Sequence, residues 1–289
     1  MSDPAAPNPY LPMPAEVVLV TREAHQVETF RFELADGAAL NFVPGQFLVI
    51  SILGVGERAV SIASSPTDGP WAELTVANVC AVTAALHHGP TAASIGLRGP
   101  FGNGFDTKRL CERSLVLMAG GLGLAPLRSL IRFISAVRSQ FGPLAVLYGA
   151  RTPDHRLYKE ELEAWGGIAG SEVCQTVEED PEGNWSAALG KAPDLVAGLG
   201  GDFQDAAAVV CGPQAMIAPA VAALADKGIA ARDIQVALDG RIGCGIGKCG
   251  RCHIGMKRVC VDGPVFTAEE LCKMDGLSLY ADGAGGLER

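Results

Sequence analysis

The sequence lacks any run of lysine and arginine that could follow a phosphate backbone, and its acidic residues outnumber its basic ones by 32 to 23. The resulting formal net charge of -9 argues against nucleic-acid binding. Long apolar runs are also missing, since AMIAPAVAALA at 215–225 falls well short of the roughly 20 residues that cross a bilayer. The opening residues, MSDPAAPNPYLPMP, carry neither a basic n-region nor an apolar h-region. We therefore expect a cytoplasmic protein without membrane insertion.

Cysteine is present, but not in the pattern of a disulfide-stabilised protein. The nine cysteines are an odd number, and a chain of 289 residues can bury its cores without disulfides. A reducing compartment keeps such thiols unpaired, so a small buried apolar side chain is the default interpretation of an isolated cysteine. The isolated ones are Cys80, Cys111, Cys174, Cys211 and Cys272. The other four lie together between residues 244 and 260.

Short β-rich segments separated by turn residues fill the first third of the chain, from about residue 16 to residue 104. Examples are VETFRFEL and QFLVISIL. About five or six strands at this spacing predict a small antiparallel barrel, which we assign to residues 15–109. Residues 1–14 are rich in proline and predict an extended N-terminal arm.

The pattern changes at Ser114, where short apolar runs begin to alternate with helical stretches. The runs include SLVLMA, LAVLYGA and AAVVCG, and the predicted helices cover residues 127–137, 158–165 and 214–227. Alternating β and α units predict a parallel sheet covered on both faces, here over residues 110–238. The regular pattern then stops, and residues 239–289 form a small C-terminal lobe and tail. The fold class is therefore multidomain, β followed by α/β.

A glycine-rich turn follows the first strand of the predicted α/β domain, in SLVLMAGGLGLAPLRSLI. Gly120, Gly121 and Gly123 allow a tight turn and a close approach of the backbone to a pyrophosphate, next to the positive end of a helix. Pro126 stands where the G-x-G-x-x-G pattern has its third glycine, and proline suits a first helical turn. A plain strand-to-helix connection explains these glycines equally well.

A second strand in this domain ends in VVCGPQAM, which places Cys211, Gly212 and Pro213 at the carboxyl edge of the sheet. Ligands of open α/β folds bind at that edge, so this segment favours a dinucleotide site. A thiol at a strand end beside a Gly-Pro turn is poorly placed for the core, which makes Cys211 a site candidate. Arg151, which follows YGA, is a candidate for a 2′-phosphate contact. The choice between NAD and NADP stays open.

Two segments of the predicted barrel carry groups suited to anions. In GERAVSIASSP, Arg58 and Ser61 lie three residues apart, on opposite faces of a strand unless a bulge intervenes. The arginine fork suits a phosphate, and a serine hydroxyl could reach a flavin ring. A surface arginine and a turn serine are the alternative. Ala81, Val82 and Thr83 stand at a predicted helix start, where backbone N–H groups can bind an anion.

The clustered cysteines, Cys244, Cys249, Cys252 and Cys260, follow the spacing C-x4-C-x2-C-x7-C. The first three reproduce the plant-type 2Fe-2S spacing, and thiolates are the soft anionic donors that iron-sulfur clusters need. The five glycines between residues 243 and 255 would let the loop aim backbone N–H groups at the sulfurs. A structural zinc site is the alternative, although such sites usually join two short knuckles across a longer spacer. We favour the 2Fe-2S cluster.

The order of these segments resembles the ferredoxin-NADP reductase superfamily over residues 15–238. The resemblance rests on R-x-x-S, LRGPFGNGF, AGGLGLAPLRSLI, YGARTPDHRLYKEEL and CGPQAM. It implies that Arg58 and Ser61 bind the FAD pyrophosphate and flavin ring, and that Val60 stands where the motif usually has tyrosine. It also implies that residues 81–83 cradle the FAD phosphates, and that the glycine turn and residues 211–213 line the nicotinamide nucleotide site.

The C-terminal RIGCGIGKCGRCHIGMKRVCVDGPVF resembles the lobe shared by three kinds of electron-transfer subunit. These are the subunits of dihydroorotate dehydrogenase, of anaerobic sulfite reductase and, above all, the gamma subunit of cytoplasmic nickel-iron (sulf)hydrogenases. NPYLPMPAEV, GARTPDHRLYKEEL and VCVDGPVFTAEEL match the hydrogenase gamma pattern, so the resemblance covers nearly the whole chain.

The resemblance implies a diaphorase-type NAD(P)H oxidoreductase subunit. NAD(P)H delivers a hydride, a 2Fe-2S cluster takes one electron at a time, and FAD connects the two. Ser61 and Cys211 would lie near the reacting atoms. The partner would be an iron-sulfur or catalytic subunit of a hetero-oligomeric complex, with hydrogenase first and sulfite reductase or dihydroorotate dehydrogenase as alternatives. A non-catalytic nucleotide-fold scaffold with a structural zinc loop is the alternative of another class.

Overall fold

An antiparallel sheet forms the N-terminal part of the computed structural model, which describes residues 8–89, 95–201 and 203–274. Its strands are β1 (Met13–Ala24), β2 (Val27–Leu34), β3 (Phe47–Ile52), β4 (Gly56–Ser61), β5 (Ala72–Ala77) and β6 (Ile95–Phe101). Their order is β4-β3-β6-β1-β2-β5. A bridge between Ile62 and Leu74 joins the residues after β4 to β5, so the sheet curls into a half-barrel. Helix α1 (Ala81–His87) lies against β4.

Strand β3 packs the barrel against the rest of the protein. Leu48 and Ile50 point into the barrel core, whereas Phe47 and Val49 pack in a different core that also contains residues of the other two regions. Because successive side chains of a strand point to opposite faces, β3 is apolar on both. The strand therefore lies between two layers.

Most of the second sheet is parallel, with the order β14-β11-β10-β7-β8-β9, in which the edge strand β14 (Val265–Thr267) comes from the C-terminal region. Five of its strands, with the helices between them, are β7 (Leu115–Gly120), α2 (Leu124–Ala136), β8 (Leu144–Ala150), α3 (Lys159–Gly166), β9 (Ser171–Val177), β10 (Ala207–Cys211), α4 (Gln214–Asp226) and β11 (Ile234–Ala237). Every residue of β7, β8 and β10 is buried, as expected for a parallel sheet covered on both faces. Helix α2 begins three residues before the predicted 127, because Pro126 fits its first turn.

The C-terminal region is attached to the parallel sheet. It contains β12 (His253–Ile254), β13 (Lys257–Arg258), α5 (Val259–Asp262), β14 (Val265–Thr267) and α6 (Ala268–Lys273). Strand β14 pairs antiparallel with β11 and forms the edge of that sheet. Part of the predicted lobe 239–289 is thus an edge strand of the α/β sheet, and its residues 275–289 lie outside the described ranges.

One hydrophobic core joins all three regions. We call it the shared core; its members include Phe47, Val49, Val116, Val210, Cys252 and Cys260. The predicted fold class, an antiparallel barrel, a parallel-sheet domain and a small C-terminal lobe, is confirmed. The boundaries at residues 109 and 238 stay predictions, and β1 begins at Met13, two residues inside the predicted arm. In the described ranges the longest helices have 13 residues, and none has the length and apolar character to cross a membrane.

Candidate functional site

The two predicted nucleotide segments meet at the carboxyl edge of the parallel sheet. Strands β7 and β10 are neighbours, with Cys211 opposite Ala119, so the turn after each lies beside the other. A Cβ on Gly123 would lie 2.3 Å from the Cys211 carbonyl oxygen, and a Cβ on Gly120 would lie 2.6 Å from the Met216 Sδ. These glycines are therefore needed for the close contact between the two turns.

Gly121 has a different role from its neighbours. Its φ is +51°, and nothing lies within 4 Å of the position that a Cβ would take. The backbone at this residue is therefore open to an approaching group, beside the first turn of α2, where Pro126 is the third residue. Arg151 lies exposed at the same edge, directly after β8. The open glycine backbone, the start of α2 and the exposed arginine together suit the binding of phosphate groups.

The side chain of Cys211 lies in the core, only 1% exposed, among residues that include Leu124 and Leu127 of α2. The expectation that this thiol is poorly placed for the core is therefore wrong, because α2 covers the end of β10. Burial raises the pKa of the Cys211 thiol far above its usual range. At the glycine turn it is the carbonyl of Cys211 that faces Gly123, and a role of this residue near the nicotinamide stays a prediction.

The predicted flavin residues lie on β4, which is the edge strand of its sheet. Its pairing with β3 is regular, with Arg58 opposite Ile50 and Ser61 opposite Phe47, so Arg58 and Ser61 lie on opposite faces as predicted. Both side chains are half-buried. A flat ligand that lies along the free edge of the strand could reach both faces. Val60, also half-buried, packs against the barrel core.

At the start of α1, several hydrogen-bond donors converge on the sulfur of Cys80, a residue that sequence reasoning treated as an isolated thiol. Burial by itself raises the pKa of this thiol, but hydrogen bonds from the Thr83 hydroxyl and from the amides of Thr83 and Val82 outweigh burial, aided by the charge of Arg58. The pKa is lowered overall. The groups that favour a thiolate at this point would favour other anions as well.

The Thr83 hydroxyl forms its hydrogen bonds within the turn at residues 79–83. It accepts hydrogen bonds from the amides of Val79 and Cys80, each 2.9 Å long, and shares its single hydrogen between the Cys80 carbonyl oxygen at 3.0 Å and the Cys80 Sγ at 3.5 Å. The side chain is buried. Thr83 therefore shapes the loop, and direct contact of Ala81, Val82 or Thr83 with a cofactor stays a prediction.

The structure brings the four clustered cysteines together in one loop. Side-chain contacts link Cys244 with Cys249 and Cys252 with Cys260. Backbone amides point at the sulfurs: Lys248 N–H donates to Cys244 Sγ at 3.2 Å, as Gly247 N–H does to Cys260 Sγ. The loop can turn in this way because Gly245, Gly247 and Gly250 have positive φ, between +73° and +78°.

The thiols of the loop differ in their environments. Burial by itself raises the pKa of the Cys244 thiol, but hydrogen bonds from the amides of Ile246, Cys249 and Lys248 lower it to about 7. Burial and the bond with Cys252 raise the pKa of the Cys260 thiol. Cys252 and Cys260 are buried in the shared core, whereas Cys249 is exposed. One side of the loop thus faces the protein interior and the other faces solvent.

The donor set fits a 2Fe-2S cluster. In the three described ranges, no group of three His, Cys, Asp or Glu side chains surrounds one point where a single metal ion could bind. A 2Fe-2S cluster requires a different arrangement, with two thiolates on each of two irons. The loop brings four cysteines together, and the amides pointing at sulfur are the hydrogen bonds that such clusters receive.

Two family models match separate parts of the chain, and two known proteins match most of it. The family model of the oxidoreductase NAD-binding domain matches residues 117–222, and that of the iron-sulfur cluster binding domain of dihydroorotate dehydrogenase B matches residues 239–272. Sulfhydrogenase 1 subunit gamma of Pyrococcus furiosus is 35% identical over 93% of this chain and 95% of its own length. Sulfhydrogenase 2 subunit gamma of the same organism is 33% identical over 93% and 99%.

A solved structure shows the same fold over most of the chain. The NADH-dependent reduced ferredoxin-NADP oxidoreductase superposes with a TM-score of 0.68, at 24% identity, over 92% of this chain and 94% of that one. At this identity the likeness concerns the fold alone.

Proposed function

This chain belongs to the family of the sulfhydrogenase gamma subunits, and from that premise we propose that it carries electrons between NAD(P)(H) and a partner subunit through FAD and a 2Fe-2S cluster. The observation that carries the proposal is the shared core. It contains Phe47, which pairs with Ser61 of β4, the flavin strand, and it contains Val210 of β10, the strand that ends at the nucleotide turn. It also contains Cys252 and Cys260 of residues 244–260, the cysteine loop. Three candidate redox sites therefore adjoin one continuous core of packed side chains.

The residues of the chain have distinct tasks in this function. Bound FAD exchanges two electrons with nicotinamide and single electrons with a 2Fe-2S cluster. Arg58 and the amides at the start of α1 would hold the FAD phosphates, and Ser61 would orient the ring at the edge of β4. Gly121 leaves room for the pyrophosphate of NAD(P), with Arg151 beside it. The thiolates of Cys244, Cys249, Cys252 and Cys260 would hold the two irons.

The terminal chemistry belongs to a partner, since the sequence holds no second cysteine cluster. The similarity to two sulfhydrogenase gamma subunits favours a cytoplasmic nickel-iron hydrogenase. The match of residues 239–272 to the dihydroorotate dehydrogenase B domain makes that enzyme the second candidate. The five isolated cysteines, none of which forms a disulfide, support a reducing, cytoplasmic location.

Anaerobic purification of the native complex tests the proposal. We expect flavin and iron-sulfur absorption, bleaching of both by NADH or NADPH, and co-purification of hydrogenase subunits. A colourless protein that contains zinc would overturn the proposal and support a scaffold. Dihydroorotate dehydrogenase subunits in the complex would replace the first partner with the second.

Alanine in place of Gly123 is expected to raise KM for the nicotinamide nucleotide about tenfold, which corresponds to a loss of about 1.4 kcal/mol of binding. The new Cβ would lie 2.3 Å from the Cys211 carbonyl oxygen and push the two turns apart. Steady-state kinetics with NADH and NADPH measure the change. Gly200→Ala is the matched control, because nothing lies within 4 Å of its Cβ position. An unchanged KM in Gly123→Ala would remove this turn from the nucleotide site.

The surface around the cysteine loop has a charge opposite to that of the whole chain. Residues 240–261 contain five Lys and Arg and no Asp or Glu, whereas the chain carries -9. Lys248 and Lys257 are exposed. The double variant Lys248→Glu, Lys257→Glu should slow association with the co-purifying partner about tenfold at low salt, because charged rims steer encounters.

Association rates at two salt concentrations measure this effect. The double variant Lys108→Glu, Lys159→Glu is the control with the same change in net charge, since both lysines are exposed but lie outside this segment. Equal slowing in the control and the double variant would assign the effect to net charge and not to this surface.

A further inference from the structure

Arg98 is a buried arginine with no assigned task. It lies on β6, is only 4% exposed and donates four hydrogen bonds. A buried charge is costly unless it is paired and hydrogen-bonded, so the partners of such a residue show what it holds together. The partners of Arg98 come from three distant parts of the chain.

Two of these partners belong to the candidate redox sites. Arg98 Nε and Nη2 bind the Glu57 carboxylate at 2.8 and 2.6 Å, and Glu57 directly precedes Arg58 on the flavin strand. Arg98 Nη1 donates to the carbonyl of Cys244, the first cysteine of the loop, at 3.1 Å across 146 residues of sequence. The same nitrogen donates to the Pro9 carbonyl at 3.0 Å. One guanidinium thus ties the flavin strand to the cysteine loop.

An aromatic ring completes this connection. The guanidinium carbon of Arg98 lies 5.7 Å from the centre of the Phe101 ring. Gly245, directly after Cys244, packs on the same ring, and a Cβ there would lie 2.8 Å from Phe101 Cδ2. Residues 244 and 245 are therefore held from one side by a hydrogen bond and by a ring, both supplied by β6.

The charge of Arg98 is not cancelled by its carboxylate partner. The Arg98 side chain is 4% exposed, whereas that of Glu57 is 37% exposed. Solvent screens the negative charge of Glu57 more than the positive charge of Arg98, because interactions weaken as the effective dielectric constant rises. A net positive field should remain at the cysteine loop. Reduction of a cluster adds a negative charge, which such a field favours, and local charge is one determinant of cluster potential.

We propose that Arg98 is a positioning residue that sets the separation between the flavin strand and the cysteine loop, and that its charge raises the reduction potential of the cluster. The inference rests on the proposed function. Neither part requires Arg98 to touch a reacting atom. Its two effects, geometry and charge, can be separated by substitution.

The test uses the purified protein with its flavin and cluster, and variants Arg98→Met, Arg98→Gln and Arg98→Lys. Redox titration followed by electron paramagnetic resonance measures the cluster potential. Arg98→Met removes the charge and should lower the reduced-to-oxidised ratio at a fixed potential about tenfold, equivalent to a 59 mV lower midpoint for one electron. If this variant does not retain its cluster, Arg98→Gln gives the same measurement while keeping an amide donor for the Cys244 carbonyl.

Arg98→Lys keeps the charge but not the planar fork that reaches Glu57 and Cys244 together. Its midpoint should match that of the wild type, while cluster reduction after rapid mixing with NADH should slow about tenfold, since small displacements of reacting groups cost rate. Flavin reduction in the same traces should keep its rate. Glu57→Gln is the control for charge: its midpoint should not fall.

Two results would overturn the proposal. An unchanged midpoint in the neutral variants rejects the role of the charge, and wild-type cluster reduction in Arg98→Lys rejects the role in positioning. Failure of the proposed function is distinguished beforehand, because the wild-type protein would then lack flavin or cluster signals altogether.

Discussion

Replacing Arg128 with methionine is expected to lower the free energy of unfolding by about 3 kcal/mol, because it leaves a buried carboxylate without its main partner. Arg128 lies on α2 and is 6% exposed. Its Nη1 donates to Glu73 Oε2, on β5 of the barrel, at 2.6 Å, and its Nε donates to Glu161 Oε1, on α3, at 2.8 Å. The substitution removes both contacts and keeps an unbranched side chain without charge.

The effect should lie at the low end of the range for broken buried pairs, which is about 3–5 kcal/mol. Burial by itself raises the pKa of the Glu73 carboxyl, but the charge and hydrogen bonds of Arg128, with further bonds from Arg31, lower it overall. Arg31 remains in the variant and still binds Glu73 at 2.8 Å. The Glu73 carboxylate therefore loses its main partner but keeps its ion pair with Arg31.

Urea denaturation of the two proteins measures the difference from the midpoint and slope. Arg132→Met is the matched control, one helical turn further along α2 with its side chain 33% exposed. Its nearest carboxylate is that of Asp68, at 2.9 Å, whereas it lies 3.6 Å from Glu73, which keeps Arg128 in this variant. The control should therefore cost only about 0–1 kcal/mol, as a solvent-screened pair does. Equal losses in the two variants would contradict the assignment of the effect to the buried pair.

Arg128 also connects the two candidate cofactor regions. Its Nη1 donates at 3.1 Å to the carbonyl of Ala63, two residues beyond Ser61, while α2 starts directly after the glycine turn. In Arg128→Met we therefore expect slower flavin reduction by NADH, even at temperatures where the variant is folded. Stopped-flow absorbance measures the rate, and Arg132→Met should retain the wild-type value.

Serine in place of Cys249 is expected to remove at least about nine-tenths of the bound iron and sulfide, because a hydroxyl is a poor ligand for an iron-sulfur cluster that is held by thiolates. Cys249 is exposed and contacts Cys244, so a hydroxyl should cost the fold little. Iron and acid-labile sulfide content, with the visible spectrum, measure the loss. Flavin content and flavin reduction by NADH should persist, since the barrel is unchanged.

Cys272→Ser is the matched control, as Cys272 is also exposed but lies outside the loop, on α6. Its iron content should equal that of the wild type. A Cys249→Ser protein with an intact cluster and unchanged transfer to the partner would show that the ligand set is wrong.

Periodic burial made much of the fold predictable. A segment such as VETFRFEL places Phe30, Phe32 and Leu34 on one face, and this alternation is a local property of any half-buried strand. The runs LVLMAG and LAVLYGA are apolar throughout, as strands covered on both faces must be. The spacing of the four clustered cysteines is also a local property, because they lie within seventeen residues and one loop can bring them together.

Other features depended on residues that are distant in sequence. Cys211 was expected outside the core because it ends a strand, but α2 folds over that end and buries it. Strand β14 was assigned to the lobe, yet its three residues find hydrogen-bond partners on β11. In both cases the neighbour that decides burial or pairing is not encoded in the local pattern.

The sequence by itself determined the strand and helix periods, the glycine turn and the cysteine spacing, because each depends on residues that lie close together along the chain. Only the tertiary structure decided that Arg98 reaches Cys244 and that Arg128 reaches Glu73, across 146 and 55 residues. Arginine is compatible with a surface strand or helix, so nothing local marks these two as buried. Which partners they bind is decided by how the sheets and helices pack. Through those partners the two arginines connect the candidate sites.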